Sequence, residues 1–297
     1  MRRERWLVTG ASGQLGGHIV RQLASDDAEP EIMALAGRGD VGTPGVAVQH
    51  VDLRQADVLR RCVAEFRPSH VVHAGAMTSV AEAYQRPQEA WVTNAEATLA
   101  LGEAGEDVGA RFVFISTDMV FGGDAAPYRE TDSPNPLSNY GRTKFFAERL
   151  VLLLDRALVV RLPLMYGFAV TRRETTFADQ IAALRERKPL TLFTDEFRTP
   201  VWIVDAARAV VGLGRSEQAG LIHVAGPQRL SRHEMVATFA KVLHIANPLL
   251  EAISRLSIAT AEPRPADLSL KDGVFRGRFP SLSPKPISEI TLVETST

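Results

Sequence analysis

"VTGASGQLGGHIV", residues 8–20, sets Gly10, Gly13 and Gly16 at intervals of three between an apolar run and an amphipathic stretch. A strand that turns at once into a helix needs a residue without Cβ at the bend, and Gly10 supplies it. Gly13 lets backbone amides approach a diphosphate at the positive end of the helix, and Gly16 lets helix and sheet pack closely. Glycine marks any tight turn, but its place here, after a strand and before a helix, points to a dinucleotide. Gly10, Ser12, Gly13, Gln14, Leu15 and Gly16 are the loop's candidate cofactor-binding residues.

Outward from this loop, apolar runs alternate with helical periodicity. "RWLVTG" (5–10) precedes a helix over 16–23. "EIMALAGR" (31–38) and "VAVQHVDL" (46–53) follow, then a helix over 56–66. "SHVVHAGA" (69–76) leads to a long helix over 89–106. "RFVFISTD" (111–118) precedes a helix that continues to about residue 154, and "ALVVRLPLMYG" (157–167) closes the series. Strands apolar on both faces and separated by helices indicate a parallel sheet covered on both sides. Handedness and adjacency then favour an α/β fold with a doubly wound, Rossmann-type sheet.

After Gly167 the rhythm changes. Helices are expected over 177–187, 204–214 and 231–245, the last capped at Ser231, with a strand at "GLIHVAG" (220–226). The expected division is a dinucleotide-binding part, 1–167 with 198–225, and a smaller discontinuous substrate lobe, 168–197 with 226–283. A proline-rich, irregular stretch begins at Pro263, and 284–297 reads as a tail.

Bulk properties narrow the class. A net charge of −1 gives no field favouring nucleic acid or an anionic membrane. One cysteine, Cys62, cannot form an intrachain disulfide or a cysteine-rich metal site. The apolar run after "MRRER" is too short for a signal peptide, and no later run could span a bilayer. No tight metal-ligand cluster appears. A cytoplasmic enzyme or binding protein is expected.

The end of the second strand bears on the cofactor. An NAD site usually carries an acid there for the ribose hydroxyls. Here Ala36 and Gly37 fill that place and Arg38 follows. A guanidinium attracts a 2′-phosphate, so NADPH is favoured over NADH. The other reading leaves Arg38 solvated and gives the ribose to Asp40. Asp52 and Leu53 are placed to contact adenine, although Asp52 reads equally as a surface aspartate. Ala74, Gly75 and Ala76, closing the fourth run, complete the cofactor candidates.

In "SNYGRTKFFAE" (138–148), Tyr140 and Lys144 stand four apart, on one helix face. A free phenol has a pKa of about 10, and a nearby ammonium lowers it. The same ammonium can hold the nicotinamide ribose. The fifth strand ends in Ser116 and Thr117, which supply hydroxyls at the ligand crevice. His73 reads as a satisfied near-core histidine, and Trp91 and Trp202 as core.

The chain resembles the extended short-chain dehydrogenase/reductases, and within them dTDP-4-dehydrorhamnose reductase and its relatives. "TGASGQLG", "VVHAGAMTSV", "NAEATLALGEAG", "STDMVFGG", "YRETDSPNPLSNYGRTKFFAE" and "RPADLSL" carry the likeness across residues 9–270. The resemblance implies Thr117 as the catalytic hydroxyl, Tyr140 as proton donor and Lys144 as the pKa-lowering cation. Hydride would pass from NADPH to the ketone of a nucleoside-diphosphate sugar. Thr117, Asp118, Met119, Arg198 and Arg264 would meet that substrate, the two arginines at its phosphates. It implies a nucleotide sugar as partner, no nucleic acid or membrane, and a homodimer as the assembly to test. Dehydratase relatives need Asp then Glu after the threonine, whereas Asp118 is followed here by Met119. "FRTP" (197–200) and "RETTFADQ" (173–180) depart from the reductase pattern. An NADP-binding regulatory subunit, like the methionine adenosyltransferase β subunit, is the competing reading, with other sugar-nucleotide reductases and epimerases beside it.

Overall fold

In the computed structural model, residues 3–171 and 174–292 are described. Arg173 of "RETTFADQ" and residues 293–297 of the expected tail lie outside them. Six of the apolar runs become parallel strands: β1 (Arg5–Thr9), β2 (Glu31–Ala36), β3 (Ala47–His50), β4 (His70–His73), β5 (Arg111–Thr117) and β6 (Ala157–Leu162). With the strand Gly220–His223 they form one sheet. From that strand inward the order is β6, β5, β4, β1, β2, β3, every pairing parallel. The order reverses between β1 and β4, which is where such sheets bind ligands.

β5 and β6 are buried at every position, as expected of strands covered on both faces. β3 departs from the expectation. It is an edge strand of four residues, all exposed, because a sheet edge needs no second apolar face.

Among the described residues, ten α-helices frame the sheet or its flank: α1 (Gln14–Ala24), α2 (Ala56–Phe66), α3 (Val80–Gln85), α4 (Pro87–Trp91), α5 (Ala97–Asp107), α6 (Asn139–Val151), α7 (Thr176–Arg185), α8 (Ile203–Arg215), α9 (Arg232–Val242) and α10 (Gly273–Arg278). α1 and α8 pack together on one face, over Trp6, Val8, Val113 and Val160. Apolar residues of α8 recur at 203, 206, 207, 210, 211 and 213, the stripe a sheet-facing helix needs. α2, α5 and α6 cover the other face, over Leu7, Val71, Phe112 and Val159.

The expected long helix over 89–106 is interrupted. α4 starts at Pro87, a π-helical turn spans Val92–Glu96, and α5 continues from Ala97. The wide turn holds Asn94 fully buried, where its amide brackets Met77 and reaches the Thr143 hydroxyl at 3.0 Å. The last expected run also breaks. Pro163 follows β6, and Met165–Tyr166 pairs instead with Val201–Trp202.

A third apolar cluster gathers α7, α9 and the parallel pair Leu190–Phe193 and Leu250–Ile253 around Phe177, Ile181, Leu192 and Phe239. Ile287, Ile290 and Leu292 are buried in the same cluster, so the described part of the expected tail is packed rather than free. Among the described residues, no helix is long and apolar enough to cross a membrane.

Candidate active site

The carboxyl ends of β1, β2, β4, β5 and β6 open on a cleft of about 1090 Å³. At its floor the chain bends at Gly10 with φ +66°, and a Cβ there would lie 2.6 Å from the backbone of Gly75. A Cβ on Gly16 would lie 2.2 Å from the Gly10 carbonyl oxygen. Strand, turn and helix therefore close around a bare-backbone cradle. Gly13 caps α1 without any side chain over the helix end, which leaves the positive end turned to the cleft. Ser12, Gln14, Leu15, Ala74 and Ala76 line the cleft beside them.

Arg38 and Gly37 line its far end with Asp52 and Leu53. Asp40 is absent from the lining, and its carboxylate accepts the Val41 amide at 2.7 Å. Asp52 is gripped by Arg54, whose Nε lies 3.0 Å from both carboxylate oxygens. Arg54 side-chain and backbone hydrogen bonds hold that carboxyl below its usual range.

Thr117, Asp118, Met119, Tyr140 and Lys144 line the opposite end. Thr117 ends β5 and caps a short 3-10 turn over Asp118–Val120, its hydroxyl accepting the Met119 amide at 3.1 Å. Ser138 caps α6 by accepting the Gly141 amide, so Tyr140 and Lys144 fall on the helix face turned inward. Both residues expected at the strand end line the cleft, and the Thr117 hydroxyl donates to Asp118 at 3.2 Å. Ser116 donates to the buried Glu148 at 2.5 Å, which also pairs with Arg161 at 2.6 Å.

The electrostatics correct one expectation. The Tyr140 phenol is not lowered toward neutrality. Burial pushes it up to about 12, with the Thr117 hydroxyl opposing and the Asp118 charge adding to the rise. Lys144, equally buried, is lowered to about 7 by desolvation, and Glu148 one turn further on works against that loss. Its Nζ sits 3.9 Å over the Phe114 ring. Desolvation exceeds any help the phenolate draws from the neighbouring ammonium. His73 is fully buried between the hydroxyls of Thr9 and Thr98, at 2.6 and 3.0 Å, a satisfied core histidine as expected. Trp202 and Trp91 are both half-buried, the first packed against the third apolar cluster and the second against Phe146.

The two arginines expected at the phosphates part company. Arg198 lines the cleft but is buried, with Nε 3.4 Å from Asp118 and a terminal nitrogen 3.5 Å from Glu196. Arg264 does not line the cleft. It donates to Glu196 at 3.1 Å and lies over the Phe193 ring. Sequence reasoning missed Arg232, which lines the cleft, and the buried Glu148 and Asn94, which support it from behind through Ser116 and Thr143. Only Glu148 left a local signal, standing four residues after Lys144 on the same helix.

Comparison with known proteins fits this geometry. The family model described as the RmlD substrate-binding domain matches residues 4–281. A dTDP-4-dehydrorhamnose reductase of Streptomyces griseus is 35% identical over 221 residues, 73% of this chain and 67% of that protein. Methionine adenosyltransferase 2 subunit beta of Xenopus tropicalis is 26% identical, over 88% of this chain and 78% of its own. Among solved structures, the dTDP-4-dehydrorhamnose reductase of Bacillus anthracis in complex with NADP superposes with a TM-score of 0.84 at 25% identity, covering 97% of each chain. A bare-backbone cradle, a Thr-Tyr-Lys constellation and a family match over nearly the full length agree, and the chain belongs to the RmlD substrate-binding-domain family.

Proposed function

We propose that the protein is an NADPH-dependent reductase of a 4-keto group on a nucleoside-diphosphate deoxy sugar. One observation carries the reading: Thr117, Tyr140 and Lys144 line the same cleft as the cradle of Gly10, Gly13 and Gly16. The cradle suits a dinucleotide, since Gly10 and Gly16 let the turn close tightly on Gly75 and on itself while bare backbone and the uncapped start of α1 line the cleft, and Arg38 at the far end suits a 2′-phosphate. When bound, the nicotinamide supplies the hydride.

The chain's own residues handle the oxygen and its proton. Thr117 orients the ketone oxygen by hydrogen bonding. Tyr140, held protonated across the neutral range by its raised pKa, gives its proton to the alkoxide that forms. The phenolate left behind is stabilised by Lys144, whose charge Glu148 supports. Met119 leaves no acid or base where a dehydratase needs one, so the chemistry stops at reduction. We place the reaction in the cytoplasm, where the free, buried thiol of Cys62 is stable.

The test is NADPH oxidation with dTDP-4-keto-6-deoxy sugars. Tyr140→Phe should lower kcat by about two orders of magnitude or more while NADPH affinity stays within about two-fold. Equal turnover by this variant would remove the proton donor. The likeness to a methionine adenosyltransferase regulatory subunit supports a second reading. It predicts NADPH binding without turnover of any keto-sugar nucleotide, and capture of a partner enzyme.

A further inference from the structure

Four charged side chains that the mechanism leaves aside converge at the substrate end of the cleft. Glu196 is 2% exposed, and three arginines share its carboxylate. Arg232 Nε lies 3.1 Å from Oε1 and Arg264 Nε 3.1 Å from Oε2, with Arg198 at 3.5 Å. Burial pushes the Glu196 carboxyl up, but Arg232, Arg198 and Arg264 outweigh it and leave it below the ordinary range. Asp118, next to Thr117, takes the Nε of Arg198. Three guanidinium groups thus face two carboxylates, a surplus of one positive charge.

The surplus has a direction. Arg198 is buried and directs its Nε and both terminal nitrogens to Asp118, Glu196 and the Phe197 carbonyl. Arg264 stands outside the cleft. Arg232, about a quarter exposed, lines the cleft and gives only Nε to Glu196. Its two terminal nitrogens make no hydrogen bond among the described residues. Ser231 fixes the start of α9 through a capping box with Glu234, so the arginine's root is rigid.

We infer that Arg232 is the residue that grips the diphosphate of the sugar nucleotide, and that Glu196 is the buried positioning residue that aims its fork into the cleft. The substrate class is a nucleoside diphosphate sugar, so the inference rests on the proposed function and deepens it. Arg198 becomes an anchor of the network rather than the primary phosphate ligand. A guanidinium fork matches two phosphate oxygens at once, and its rigid presentation lowers the ordering cost of binding.

Two measurements keep this inference separable from the reductase reading. In steady-state kinetics with the wild-type substrate, Arg232→Ala should raise KM by about ten-fold or more, with kcat and NADPH affinity held within about two-fold. Arg232→Lys should recover only part of the loss, because a point charge cannot fork. In calorimetry, which needs no turnover, Arg232→Ala should weaken dTDP by a similar factor and leave thymidine unchanged. Glu196→Gln should weaken dTDP in the same direction, with circular dichroism checking its fold. An unchanged dTDP affinity in Arg232→Ala overturns the inference, as does a loss that falls on NADPH instead. A wild-type protein that binds dTDP through Arg232 yet oxidises no NADPH upholds the clamp and sinks only the reductase.

Discussion

Lys144 carries an ammonium into a place with almost no water, and the cost is visible in its pKa of about 7 against an ordinary 10.5. The sign of the effect on stability follows. Between pH 7 and 10.5 the unfolded chain holds a proton on this lysine that the folded chain has released, so its contribution to stability improves as pH rises. Below pH 7 both states are charged and the whole burial cost remains. Lys144→Met should therefore melt higher than wild type at pH 6, with a gap that narrows steadily toward pH 10. Parallel melting curves across that range, with a constant gap, would contradict the assignment. At this scale the sequence is generous to local chemistry and silent about distant chemistry. Tyr140 and Lys144 are legible because one helical turn separates them, and Glu148, one turn further on, was missed although it left the same signal. Arg232 could not be found, since Glu196, 36 residues before it, is what brings it to the cleft. Arg264 matched a motif, yet the fold seats it behind that same carboxylate.

At the scale of elements, α6 must approach the turn after β5 closely enough for Tyr140 to meet Thr117. Gly141 permits it: a Cβ there would lie 2.3 Å from the Met119 carbonyl oxygen and 3.0 Å from the Cβ of Pro136. Both neighbours are poorly placed to yield. Gly141→Ala should force the helix outward, costing about 1–3 kcal/mol of stability by overpacking and about ten-fold or more in kcat by misplacing the phenol. Urea unfolding and single-turnover rates would check the two effects separately, and NADPH affinity should hold. The central strands are legible because burial on both faces demands unbroken apolar runs. The π turn at Val92–Glu96 is not, because one inserted residue shifts the helical phase without changing composition. It still matters to the site, since it is how Asn94 reaches α6.

For the whole molecule, the C-terminal stretch is where the sequence misleads. Proline and polar residues made 284–297 read as a tail, yet its buried Ile287, Ile290 and Leu292 complete the third apolar cluster. Its backbone is also tied down: Lys285 donates to Asp205 and Ile287 to Gln228. Sparse apolar residues at irregular spacing carry no periodicity, so only the surface they cover reveals their purpose. Ending the chain at residue 283 exposes that surface. Each such side chain contributes about 1.5–3 kcal/mol when fully buried, so the shortened protein should melt several degrees lower. A melting temperature unchanged by the truncation would mean that the segment only rests on the surface.

The floor of the cleft is made where the end of β1 meets the end of β4, with Gly10 against Gly75 across 65 residues of chain. That meeting exists only once the sheet is assembled. A molecule settling there acts as a keystone, rewarding the finished arch and offering nothing to loose stones. At a hundred times its dissociation constant such a ligand adds about 2.7 kcal/mol to the native side. On the proposed function, how firmly this protein stands in a living cell is thus partly set from outside, by the supply of the coenzyme it would use.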